Sequence, residues 1–141
     1  GVDDGRVLST VGLAHLHGGA LSEARESLER SVQLMPQHIG TWHVLAWTAF
    51  LQQDMARARA VFTLARDMDR NFAESHGGLA VVDAAEGKLD AARDGIQRAF
   101  GLDRHCMSAR YAQAMLDGEA GDVAALQQLA QRLIAAKARS R

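Results

Sequence analysis

At 141 residues, 48% hydrophobic and 23% charged, the chain is long enough for one domain with its own core and too short for two comfortable ones. Sixteen basic residues against seventeen acidic ones leave a formal charge of −1, which excludes the broad basic surface that nucleic-acid binding requires. No apolar run reaches bilayer-spanning length, so this segment does not insert directly into a membrane, and the single cysteine, Cys106, excludes an internal disulfide framework.

One proline among many alanines and leucines favours helix over strand. Taken in chain order, the apolar periodicity predicts helices at 6–18, 21–34, 39–52, 55–68, 73–86, 89–102, 107–118 and 122–137. They form one domain over 5–141, with repeats at about 5–38, 39–72 and 73–106 and a degenerate capping pair at 107–138. Residues 1–4 read as a flexible or cloning-derived end. The start at Gly1-Val2-Asp3, without methionine, suggests that the native start lies upstream, where a signal peptide or anchor would not be seen. The compartment is therefore open between cytoplasm and periplasm.

The helices repeat. Ala24, Leu28 and Ser31 are followed 34 residues later by Ala58, Phe62 and Ala65, and again by Ala92, Ile96 and Ala99. Gly12, Ala46, Ala80 and Ala114 keep a small residue in the same register. Gly19, Gln53, Gly87 and Gly121 fall where one helix hands over to the next. Small residues at this spacing let two helices approach closely, while the larger ones fill the space beside them, and neighbouring pairs bury each other's apolar faces.

These residues resemble the tetratricopeptide-repeat (TPR) family, whose pattern is W-x2-L-G-x2-Y, then A-x3-F-x2-A, then P. The second copy carries it through Trp42, Leu45, Ala46, Ala58, Phe62 and Ala65. The first carries Val11, Gly12, Ala24, Leu28 and Pro36, and the third Leu79, Ala80, Gly87, Ala92, Ile96 and Ala99. Departures are His15, Ala49 and Asp83 for the tyrosine, and Arg70 and Arg104 for the proline. The unit from Met107 drifts, with Gln113, Asp117 and Leu126 off pattern, as befits a terminal cap. The resemblance implies an all-α fold, a TPR-type right-handed superhelix of antiparallel helix pairs. Trp42, at the family's tryptophan position, is expected in the core. Trp47 lies five residues on, about 140° around the helix.

In that family the first helix of each pair lines a concave groove that holds partner proteins. By register the groove here comprises Leu13, Leu16 and His17, then His43, Trp47, Phe50 and Leu51, then Gly77 and Val81, and finally Tyr111 and Met115. An apolar face of this kind marks an interaction site, with inter-repeat packing or a self-association seam as the competing reading for Trp47 and Phe50. Gly77-Gly78 inside a helix admits either a partner's backbone or a closely packed neighbouring helix. The family's carboxylate clamp for acidic peptides is absent, because its positions hold Ser9, Leu13, Val44, Glu74 and Gly78.

Chemistry has little support. His15 and His17 lie about 200° apart around a helix, and His105-Cys106 are adjacent, so no metal site is indicated. Glu74-Ser75-His76 is not a catalytic arrangement, since neighbours along a helix point in different directions. No phosphate loop or zinc-protease motif occurs. The expectation is a non-enzymatic, cofactor-free scaffold or chaperone-like adaptor, similar to bacterial secretion chaperones and assembly factors, holding a hydrophobic or amphipathic segment of a partner protein. The alternatives are a self-assembling spacer within a larger, membrane-anchored bacterial protein, which allows a homo-oligomer, and an accessory domain of an enzyme.

Overall fold

A computed structural model describes residues 20–118 of the chain. Among them are six helices and no strand: α1 (Leu21–Leu34), α2 (Ile39–Leu51), α3 (Met55–Met68), α4 (Ala73–Ala85), α5 (Leu89–Leu102) and α6 (Met107–Leu116). The expected helices at 6–18 and 122–137 lie outside the described residues. Three helices match the expected bounds, and α2, α4 and α6 stop one or two residues early.

Backbone geometry explains the early stops. Gln53 and Gly87, 34 residues apart, both adopt positive φ, at 63° and 79°. After each, the chain closes the preceding helix with the same pair of bonds. Gln53 N donates to Phe50 O at 2.9 Å and Asp54 N to Ala49 O at 2.9 Å; Gly87 N donates to Ala84 O at 3.1 Å and Lys88 N to Asp83 O at 2.8 Å. This is a Schellman closure, which glycine accepts freely and glutamine only at a cost. Asp54 then caps α3, its Oδ1 accepting from Arg57 N at 3.1 Å.

The turns between pairs show how the chain manages without the repeat's proline. At all three, the same 3.0–3.2 Å backbone bond recurs, from His38 N, Phe72 N and Cys106 N to the carbonyls of Met35, Asp69 and Asp103. Pro36 holds the first turn. In the other two, the side chain of Asp69 accepts from Asn71 N at 3.0 Å and that of Asp103 from His105 N at 2.9 Å. An Asx turn thus stands in where Arg70 and Arg104 replace proline.

The repeat positions form the core. Ala24, Ala58 and Ala92, Ala46 and Ala80, and Ala65 and Ala99 are all buried, with Leu28, Phe62 and Ile96 beside them. Ion pairs bind the repeats at their edges. Arg57 grips Glu29 through two bonds of 3.1 and 2.6 Å, and Arg25 reaches Asp54 at 2.8 Å, tying α1 to the start of α3. Arg59 on α3 pairs with Asp83 at 2.7 Å and Glu86 at 2.5 Å, at the end of α4. Asp83, the departure from the family's tyrosine, therefore exchanges an aromatic contact for a charged one.

The two tryptophans reverse their expected order. Trp42 is half-buried, and its Nε1 donates to Pro36 O at 2.7 Å across the surface of the first turn. Trp47 is 2% exposed. The crowding that buries Trp47 comes from other helices, so position in the repeat pattern alone did not reveal it.

Candidate partner-binding groove

Helices α2, α4 and α6 are the first members of successive pairs and supply the expected groove residues. Helix α2 is apolar almost all the way round, and His43, Leu45, Ala46, Trp47, Ala49 and Phe50 are all buried. A helix of that composition is covered on more than one side. Trp47 makes edge-to-face contacts with Phe50 and Phe62, each at 5.7 Å between ring centres, and with Tyr111 at 6.2 Å. The contact with Tyr111 joins the second pair to the fourth, passing over α4.

Helix α4 is thin where this happens. A Cβ on Gly78 would lie 2.5 Å from Phe62 Cδ1 and 2.7 Å from its Cζ. A Cβ on Gly77 would meet Ser108 Cβ at 2.7 Å and Ala109 N at 2.8 Å. Both glycines serve close packing within the chain, Gly78 against α3 and Gly77 against α6. Val81 is fully buried one turn further along α4, and Leu51, Tyr111 and Met115 are half-buried, packed against the aromatic cluster. Leu13, Leu16 and His17 lie outside the described residues.

His43 joins the Trp47 cluster through Phe62. Its ring lies edge-on to Phe62 at 5.5 Å and Phe72 at 5.0 Å, and its Nε2 is 2.7 Å from Ser75 Oγ. Both partners in that hydrogen bond are buried, so it joins α2 to α4 within the core. His76 turns elsewhere, with Nε2 donating to Arg70 O at 2.8 Å. Ser75 and His76 do not bond each other. Glu74 caps the next first helix: its carboxylate accepts from Met107 N at 2.9 Å, from Ser108 N at 3.2 Å and from Ser108 Oγ at 2.6 Å. That carboxylate and burial push the neighbouring Cys106 thiol up to about 12, burial being the larger cause. No group of three His, Cys, Asp or Glu side chains among the described residues is placed to hold a metal ion, and no helix there is long and apolar enough to cross a membrane.

Phe62, Phe72, Ser75 and the Glu74–Ser108 pair were absent from the expected groove list. The register held a signal for the last, since Glu74 and Ser108 occupy the same position in successive repeats. Nothing in the pattern said that one would cap the helix carrying the other.

Comparisons with known proteins fit this architecture. No protein-family model matches the chain, and no curated protein matches its sequence. Solved structures do. The first TPR of Spaghetti (RPAP3), bound to the HSP90 peptide SRMEEVD, superposes with a TM-score of 0.72 at 18% identity, covering 86% of this chain and 100% of that one. A crystal structure of MamA gives 0.71 at 17% identity, covering 97% and 82%. A second MamA structure, MSR-1 C2, gives 0.64 at 23% identity, covering 98% and 79%. With the 34-residue period and the paired helices, these likenesses show that the chain has an all-α, TPR-type fold, a superhelix of antiparallel helix pairs.

Proposed function

We propose that this domain is a protein-interaction scaffold or chaperone-like adaptor whose inner face takes a hydrophobic or amphipathic segment of another protein. The observation that carries the reading is the character of that face. At the groove positions of the first helices, Leu51, Tyr111 and Met115 are half-buried and pack against a core that includes Trp47, Phe50 and Val81. An apolar occupant is supported over an acidic one by the clamp positions. Val44 is half-buried in the apolar cluster, Glu74 is an acid already engaged at the start of α6, and Gly78 has no side chain. The peptide SRMEEVD held by the first TPR of Spaghetti would meet no cation at these three positions.

Trp47 and Phe50 also belong to the core, so alanine at Trp47 would cost about 3–5 kcal/mol of folding stability and confound a binding assay. The half-buried rim is the better lever. A phage-displayed library of random 12-residue peptides, selected against the domain, supplies a probe. A Leu51→Glu/Met115→Glu variant, checked by circular dichroism for unchanged helix content, should lose at least tenfold in affinity for the selected peptide. Equal affinity for a folded variant would sink the groove reading.

A second reading has its own observation. Leu34, Met68 and Leu102 are 49%, 38% and 42% exposed at the same register position, the ends of α1, α3 and α5. Such a row suits self-association. Light scattering over a concentration series tests it, and a strict monomer throughout would remove it.

A further inference from the structure

Deepening the self-association reading, on which it rests, we propose that two copies of this chain pair through the outward ridge of α3, antiparallel about a two-fold axis. Ala56, Ala60, Leu64 and Met68 recur every fourth residue and so form one ridge along α3. All four are exposed, Leu64 at 40% and Met68 at 38%. With Thr63, the last three line a shallow open depression. Asp67 at its edge is held by Arg66 and Arg70, each at 3.2 Å, so the acid there is already paired.

The repeat shows that this ridge is particular to α3. At the same register α1 carries Ser22, Glu26, Arg30 and Leu34, and α5 carries Asp90, Asp94, Arg98 and Leu102, all exposed. Each flanking ridge puts an acid before a base; of the three, that of α3 alone is apolar throughout. An exposed apolar ridge bordered by charge is an association surface. Its small half, Ala56 and Ala60, leaves room for the large half, Leu64 and Met68, of an antiparallel copy. A patch that fits itself about a two-fold axis closes as a dimer.

The flanking charges select the same direction. With the axis between Ala60 and Leu64, Ala60 faces Leu64 of the second copy and Ala56 faces its Met68. On the flanks α1 then lies over α1 and α5 over α5, each reversed. Glu26 faces Arg30 of the second copy, and Asp94 faces its Arg98. A parallel pairing, with the axis along α3, would lay α1 over α5, setting Glu26 against Asp94 and Arg30 against Arg98. Like charges so placed oppose association. One axis thus satisfies both the small-to-large order and the acid-to-base order, which is the complementarity a second copy supplies.

The test is sedimentation equilibrium of the 141-residue chain over a concentration series at low salt, with the helix content of each variant checked by circular dichroism. The expected result is a monomer–dimer equilibrium that Leu64→Glu weakens about tenfold or more, since it sets a carboxylate against apolar surface. Arg98→Glu should weaken it about threefold. Asp94→Arg/Arg98→Glu, which restores opposite charges across the axis, should return it close to the wild-type value. Unchanged or stronger association in Arg98→Glu would overturn the antiparallel pairing, because the parallel one sets position 98 against Arg30. An association that ignores Leu64→Glu would overturn the α3 interface; its loss in Leu34→Glu/Leu102→Glu would then leave self-association standing through the helix ends. A wild-type chain that stays monomeric at every concentration would overturn both.

Discussion

A single methyl group on Gly78 tests the packing from which the aromatic cluster is built. In an open helix, replacing glycine by alanine gains about 1 kcal/mol. At position 78 the new Cβ would sit 2.5 Å from Phe62 Cδ1, far inside van der Waals contact. Phe62 is fully buried and held edge-on by both His43 and Trp47, so it cannot give way without disturbing them. Overpacking of this kind costs about 1–3 kcal/mol, which, net of that gain, leaves Gly78→Ala destabilising by up to about 2 kcal/mol. Gly101 provides the control, since nothing lies within 4 Å of its Cβ position near the end of α5. Gly101→Ala should stabilise by about 0.5–1 kcal/mol. Thermal melts followed by circular dichroism would separate the two, with shifts of about 3–6 °C per kcal/mol in opposite directions. A Gly78→Ala domain melting above the wild type, as Gly101→Ala should, would refute the close approach of α4 to Phe62.

Further consequences concern the edges of the solenoid. Arg59→Ala leaves Asp83, largely buried at the end of α4, without its cation. It should cost about 1–3 kcal/mol, with Asp83→Asn on the same background restoring much of the loss in urea titrations. Gln53→Gly relieves a positive φ and should raise stability by about 0.5–1 kcal/mol; a lower midpoint would contradict the Schellman closure. The bond from the Arg57 amide and the Arg25 guanidinium hold the Asp54 carboxyl below its ordinary 3.8. A group depressed in the folded state contributes its full stability above 3.8 and loses it as pH falls through the lower folded value. Asp54→Asn should therefore flatten the stability–pH curve below about pH 4 and leave its slope near neutrality unchanged.

Much of the architecture could be read from spacing alone. Ala24, Ala58 and Ala92, with Leu28, Phe62 and Ile96, carry the period because close helix approach needs a small residue beside a large one at each crossing. The helix end at Gly87 was legible because glycine accepts the positive φ that closes it. Gln53 broke the glycine pattern yet adopts the same backbone. The roles of the tryptophans were not legible, because Trp47 is buried by Phe62 and Tyr111, 15 and 64 residues away in sequence. The capping of α6 by Glu74 likewise depends on how tightly two repeats stack, which Gly77 decides through contact with Ser108 and Ala109.

The central claim is that the inner face, formed by the first helices of the pairs, receives a segment of another protein. Titrating the selected 12-residue peptide into isotope-labelled domain and mapping the perturbed resonances tests it most directly. The account predicts changes concentrated at His43, Trp47, Leu51, Val81, Tyr111 and Met115 on α2, α4 and α6. Changes concentrated instead at Leu34, Leu64, Met68 and Leu102 on the second helices would contradict it and place recognition on the opposite members of each pair.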